Sequence, residues 1–360
     1  MKRTITLLAP PFVLAIAFYL LVPSGIAAEF VARHLSASWR LAVAKATSHL
    51  PFSLVEVLAF LGIAWLIYAI VRLILPHKRG HGLRSLLALV VVVINCGALF
   101  LWVGCPRYFA SQHYEDALTR RDISVAELLA AAEYFRDGAN RTANSVARDG
   151  DGVYNEPIDV IFLLSEDVFD GLAAQFPALE PTNAVPKSLL TSGFMSRTGY
   201  TGIYFALTGE ANVNTKMPRA LLPVTVAHEL AHSRGVARED AANFFGIAAC
   251  VTSGMPRFEY SGYLDALLYL GNELYRVDPQ AYYDLSATYS DAVRRDLKDN
   301  SDYWAAIVAK NADNAAMSAV SAAVNTAYDG FMRANAQENG MATYGECVDL
   351  LVIWALESGA

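Results

Sequence analysis

Cysteine is scarce in this chain, four in 360 residues, and no two stand in a Cys-x-x-Cys spacing. That excludes a thiolate zinc site and a disulfide-built scaffold. Cys96 and Cys105 fall in an apolar run, while Cys250 and Cys347 are compatible with one bridge or with two buried thiols. Also missing are an internal repeat, a low-complexity tract, a glycine loop of the nucleotide-binding type and a basic-aromatic patch. With a net charge of −7 as well, nothing favours a nucleic-acid partner. Charged residues make up only 18%, below the ~25% of an average soluble chain. Hydrophobic types reach 54% and mean hydropathy is +0.30. This balance directs attention to a membrane.

Three runs can cross a bilayer. Residues 4–28 and 85–105 hold no charge, and residues 54–75 have an apolar centre between Glu56 and Arg72, whose long side chain can reach the interface. Charge divides the chain at the same boundary: residues 1–105 carry 9 Lys and Arg against 2 Asp and Glu, the remainder 19 against 33. A basic three-helix membrane anchor (1–105) is therefore expected to carry an acidic domain (106–360). The densest cations, Lys2-Arg3 and the set Arg72, Lys78, Arg79 and Arg84, place the N-terminus and the second loop in the cytoplasm and the domain outside it. Lys2-Arg3, the first apolar run and Gly25-Ile26-Ala27-Ala28 also have the parts of a cleaved secretory signal. The run is long for one, so retention is expected, and either outcome leaves the domain on the same side.

The domain reads as mainly α with a small β-sheet, an α+β fold. A helix is expected from Asp122 to about Val146, opened by Ser124 and Glu127 as a capping box. Ile158 to Leu164 has strand character, followed by a helix over 165–176. In "YTGIYFALTGEANVNT" the apolar residues Ile203, Phe205 and Leu207 alternate, and Gly209-Glu210 reads as the turn into a second strand, Ala211 to Thr215. Helical spacing then recurs over 221–234, 238–253, 260–276, 302–334 and 343–357.

The chemistry-bearing stretch is "VTVAHELAHSRGVAREDAANFF", residues 224–245. Pro223 suits the first turn of a helix and Gly235 suits its end. Four residues is close to one turn, so His228 and His232 share a face and can reach one metal ion. Glu229, rotated by about 100° per residue, can stand beside that ion as the general base that takes a proton from water. A third protein ligand is needed for a catalytic zinc ion. The position three past Gly235 is Arg238, which cannot ligate. Glu239 is the expected third ligand and Asp240 the alternative, with Asn243, one turn beyond Glu239, as a hydrogen-bonding neighbour. The competing reading is a packed amphipathic helix whose histidines are core or surface residues. Tyr260, Tyr263, Arg234 and Arg238 are weaker candidates to stabilise an oxyanion, and Ser253-Gly254-Met255 could form a turn beneath the site.

"YTGIYFALTGEANVNT", "LLPVTVAHELAHSRGVAREDAANF" and "YSGYLDALLYLGNELY" resemble an uncharacterised family of bacterial membrane proteins, a domain of unknown function numbered 3810 in that series. Its members resemble zincin metallopeptidases, with spanning helices ahead of the HExxH domain. The resemblance covers nearly the whole chain and departs from the family pattern at Ala241, where an acid often follows Asp240. It implies a multi-pass membrane-anchored zinc peptidase with Zn2+ on His228, His232 and Glu239, Glu229 as base, a peptide or protein substrate, and an upstream edge strand, Tyr200 to Thr208 or Ala211 to Thr215, along the cleft. A non-catalytic binding or assembly protein on the same scaffold is the alternative.

Overall fold

The computed structural model describes residues 2–75 and 78–357, with the side chains of 9–75, 78–341 and 345–357. The side chains of Lys2 and Arg3 and the last three residues of the expected domain lie outside the described residues. The chain forms two compact units.

The first unit is Met1–Ser111 together with Thr182–Ala184 and Phe205–Glu210. Its helices are α1 (Lys2–Leu21), α2 (Ile26–Val31), α3 (Ala37–Thr47), α4 (Leu54–Ile74) and α5 (Arg79–Gly104). Of these, α4 and α5 are long and apolar enough to cross a membrane. The uninterrupted run expected over 4–28 is corrected. Helix α1 ends at Leu21, and the helical stretch Ile26–Thr47 leaves at 110° to Ala9–Ser24. Pro23 lacks an N–H and Gly25 takes φ 80°, so the helix cannot continue through them. The Glu210 carboxylate accepts from the N–H groups of Leu54 (2.8 Å) and Val55 (3.0 Å), which are free donors at the start of α4. Trp39 Nε1 donates to the Ala206 carbonyl at 3.0 Å and Thr47 Oγ1 to that of Thr208 at 3.0 Å.

The second unit holds α6 (Val125–Thr142), α7 (Ile158–Leu164), α8 (Ser192–Thr198), α9 (Leu222–Ser233), α10 (Glu239–Thr252), α11 (Pro256–Val277), α12 (Pro279–Ser286), α13 (Asp291–Ala312), α14 (Ala315–Ala334) and α15 (Val348–Glu357). Strands β1 (Pro186–Ser188), β2 (Gly202–Phe205) and β3 (Glu210–Val213) form one sheet in the order β1-β3-β2, with β1 parallel to β3. The capping box on α6 is present, with Glu127 N–H on Ser124 Oγ and Ser124 N–H on Glu127 Oε2. Ile158–Leu164 is a helix, not a strand. Short apolar runs carry no periodicity that separates the two, and Pro157 and Asp159 suit a helix start. The expected helix over 165–176 reduces to a 3-10 turn and further turns. The stretch 302–334 is two helices, parted at Asp313-Asn314, where Asn314 accepts from the Met317 N–H. The hairpin turn lies at 206–209, earlier than expected. Helices α9, α10 and α11 make the centre of the unit, packed with α6 and α15 around Phe176, Phe244, Phe245 and Trp354.

Candidate metal centre

The site begins with how α9 ends. Gly235 takes φ 89°, and the chain closes a Schellman motif: the Val236 N–H reaches the Ala231 carbonyl at 3.1 Å and the Gly235 N–H that of His232 at 3.1 Å. Folded back in this way, the Val236 carbonyl lies 2.7 Å from His232 Nδ1. An N–H donated there leaves His232 Nε2 to face the cluster, where it meets His228 Nε2 at 3.1 Å. Arg238 then adopts an extended conformation and α10 starts, with Glu239 in its first turn and its N–H on Gln337 Oε1 at 3.1 Å.

These turns bring His228, His232 and Glu239 together, with one ligand atom from each within 4.8 Å of the others. The two Nε2 atoms are 3.1 Å apart, and Glu239 Oε2 stands 3.3 Å from one and 3.5 Å from the other. Ligand bonds of ~2.0–2.1 Å at tetrahedral angles put donor atoms about 3.3 Å apart, so the triangle has the size a zinc ion needs. Glu239 Oε2 is buried and faces both imidazoles at ion-pair distance. A buried carboxylate oxygen set against two imidazole nitrogens in this way fits a ligand position. Glu239 Oε1 is held by the Tyr328 hydroxyl at 2.6 Å.

Electrostatics couples the three. Burial alone would raise the Glu239 carboxyl, but His232 and His228 hold it well below the usual carboxylate range. Burial lowers His232, and the Glu239 charge and its contact overcome that, raising the imidazole to about 9. Glu229 is buried between them and strand β2. Burial pushes its carboxyl up to about 7, against the pull of His228 and His232 and a hydrogen bond from the Tyr204 N–H. Its Oε2 has no partner.

Strand β2 passes directly over this carboxylate. A Cβ added at Gly202 would lie 2.2 Å from Glu229 Oε1. Gly202→Ala is therefore expected to displace the carboxylate and to lower any reaction that depends on it by ~10²-fold, while metal content stays the same. Equal rates for the two proteins would contradict this placement.

Asp240, the alternative ligand, is turned away: it pairs with Arg120 and with Arg238 Nε at 3.2 Å. Asn243 lines the cavity over the site. The weaker candidates do not reach it. Tyr260 donates to Asp296, Tyr263 packs under Arg141, Arg234 covers the Phe169 ring and Arg238 serves Asp240. Ser253-Gly254-Met255 only joins α10 to α11. Cys250 and Cys347 are both free and buried.

The cavity, about 420 Å³, is lined by His228 and Glu229, by Tyr200 and Gly202 from the stretch 200–208 offered as a cleft strand, and by residues that the sequence did not single out, among them Asp265 and Trp304. Ser261 Oγ accepts from the Val224 N–H at 3.1 Å, setting α11 beside α9. Four residues on, Asp265 faces the cavity near His228; burial raises its carboxyl to about 7 and His228 opposes that. Tyr328 and Gln337 come from 89 and 98 residues beyond Glu239 and carried no signal in the sequence. For a metal ion held by this cluster, Tyr328→Phe is expected to weaken affinity about 10–100-fold by freeing Glu239 Oε1, measured by competition with a chelating dye. Unaltered affinity would leave that hydrogen bond without a role at the site.

Together these features define a predominantly helical protein with two helices of membrane-crossing length and a His-His-Glu cluster in its second unit. The chain belongs to the DUF3810 family, described as a protein of unknown function, whose sequence profile matches residues 34–352. No curated protein and no solved structure matches it significantly.

Proposed function

We propose that the protein is a membrane-anchored, zinc-dependent peptidase of zincin type, with its second unit outside the cytoplasm. The observation that carries the proposal is the convergence of His228 Nε2, His232 Nε2 and Glu239 Oε2, with the Glu229 carboxylate beside them under strand β2. A zinc ion in this triangle would lower the pKa of a water toward ~7 and polarise the scissile carbonyl. Glu229 takes the water's proton and hands it to the leaving amine; a carboxyl raised to about 7 is suited to both transfers at neutral pH. His232 is kept in one tautomer by Val236, and Tyr328 fixes the orientation of Glu239. Strand β2 forms the edge of its sheet, a place where an extended peptide can align. The cations Arg72 in the last turn of α4, Lys78 between the helices, and Arg79 and Arg84 at the start of α5 favour a cytoplasmic position for that connection.

The test uses the full chain in detergent or nanodiscs. Elemental analysis should find about one zinc per chain, and a mixture of internally quenched peptides should be cleaved in a chelator-sensitive way. Bound zinc without cleavage would favour the non-catalytic binding protein. A protein that takes up no metal sinks both the centre and the reaction.

A further inference from the structure

We infer that the Tyr200 hydroxyl is the donor that meets the carbonyl oxygen of a bound peptide as that oxygen takes up negative charge. The inference rests on the peptidase reading above. Tyr200 lines the same cavity as His228 and Glu229, and its hydroxyl is sealed from bulk solvent with no hydrogen-bond partner. A buried donor left unpaired costs stability, and it persists where a ligand completes it.

Its position is built. Gly199 ends α8 in the left-handed conformation at φ 86°, the Tyr200 N–H bonds the Met195 carbonyl at 3.0 Å, and Asn214 Nδ2 donates to the Tyr200 carbonyl at 3.1 Å. The ring meets Tyr328 edge-on, with centroids 5.5 Å apart. Tyr328 in turn holds Glu239, so Tyr200 is placed beside the third ligand without being bonded to it. Burial, reinforced by the Glu239 charge, raises the phenol to about 12, which keeps its proton on at neutral pH. Two other cavity donors are already engaged: Thr225 Oγ1 on the Leu221 carbonyl at 2.9 Å and Trp304 Nε1 on Asn300 at 3.0 Å.

The balance of the step is that of hydrolysis. The water oxygen bonds the carbonyl carbon, the C=O π pair moves onto oxygen, and the water's proton goes to Glu229. As the pair returns, the C–N bond breaks and Glu229 protonates the amine. Tyr200 keeps its own proton throughout and supplies only a hydrogen bond that strengthens as charge develops.

Tyr200→Phe in the full-length protein removes one oxygen and keeps the ring against Tyr328. On the quenched-peptide mixture kcat should fall about 10²-fold with KM nearly constant, and zinc stoichiometry should not change. In the cobalt-loaded protein, N-phosphoryl-leucinamide, a tetrahedral anion followed by the visible cobalt spectrum, should bind at least ~10-fold more weakly. Wild-type kcat and wild-type affinity for this anion in the variant would overturn the inference, and so would loss of the metal, which would make Tyr200 structural. If the wild type holds metal but cleaves no peptide, the peptidase reading fails, and the anion titration still decides whether Tyr200 is a donor to bound charge. If the wild type holds no metal, both fall together.

Discussion

Replacing Glu229 with Gln is expected to leave the protein folded and its metal content intact while peptide cleavage falls by about 10²–10⁴-fold, the usual worth of a positioned general base. Gln has the same shape, fits beneath Gly202, and keeps an oxygen for the Tyr204 N–H. What it lacks is a site for a proton. Replacing a buried, part-paired carboxyl with a neutral amide should also be mild for stability, because the amide avoids the desolvation that burial imposes on a charge. The measurement is cleavage rate beside zinc stoichiometry on the same preparation. Undiminished cleavage with zinc bound would remove Glu229 from the chemistry, and loss of zinc together with cleavage would make its role structural.

Glu239→Ala should have the largest effect on the metal. Two imidazoles remain, and zinc affinity should drop by more than the ~10²-fold ascribed to loss of an outer hydrogen bond. A pH series sharpens the expectation. In the metal-free protein the His232 value, about 9, lies above its unfolded value of ~6.5, so the His232–Glu239 attraction stabilises the fold fully below pH ~6.5 and is lost as pH rises through about 9. Glu239 has the opposite sign: its depressed value contributes above pH ~4.3 and is lost as pH falls toward the folded value. Zinc needs a neutral imidazole, so under the proposed function uptake would displace the His232 proton. Apparent affinity should climb by up to ~tenfold per pH unit between pH 7 and 9. A flat profile over that window, or Glu239→Ala protein with wild-type affinity, would show that these residues do not form the site.

Much of this centre was legible beforehand because it is local. His228, Glu229 and His232 lie on one helix whose limits Pro223 and Gly235 announce, and Glu239 follows within a single turn and a cap. The choice between Glu239 and Asp240 rested on which helix face each would take; in the structure Glu239 stands beside the two imidazoles, while Arg120, more than a hundred residues earlier, pairs with Asp240. Nothing near Asp240 in the sequence signals that partner. The errors have the same origin. Ile158–Leu164 is too short for a period to show, and the bend at Gly25 lies inside an unbroken apolar run where hydropathy cannot register a change of direction.

By itself the sequence determined the predominantly helical class, two long apolar helices among the three runs it offered, the family, and which imidazoles and carboxylates could share a metal ion, since periodicity, charge and spacing act over one or two turns of chain. Only the tertiary structure decided that Gly202 passes over Glu229, that Tyr328 and Gln337 hold Glu239, and that Tyr200 stands at the cavity wall with its hydroxyl buried and unpaired. Those contacts join segments tens to about a hundred residues apart, and burial of side chains, which no local pattern encodes, selects them.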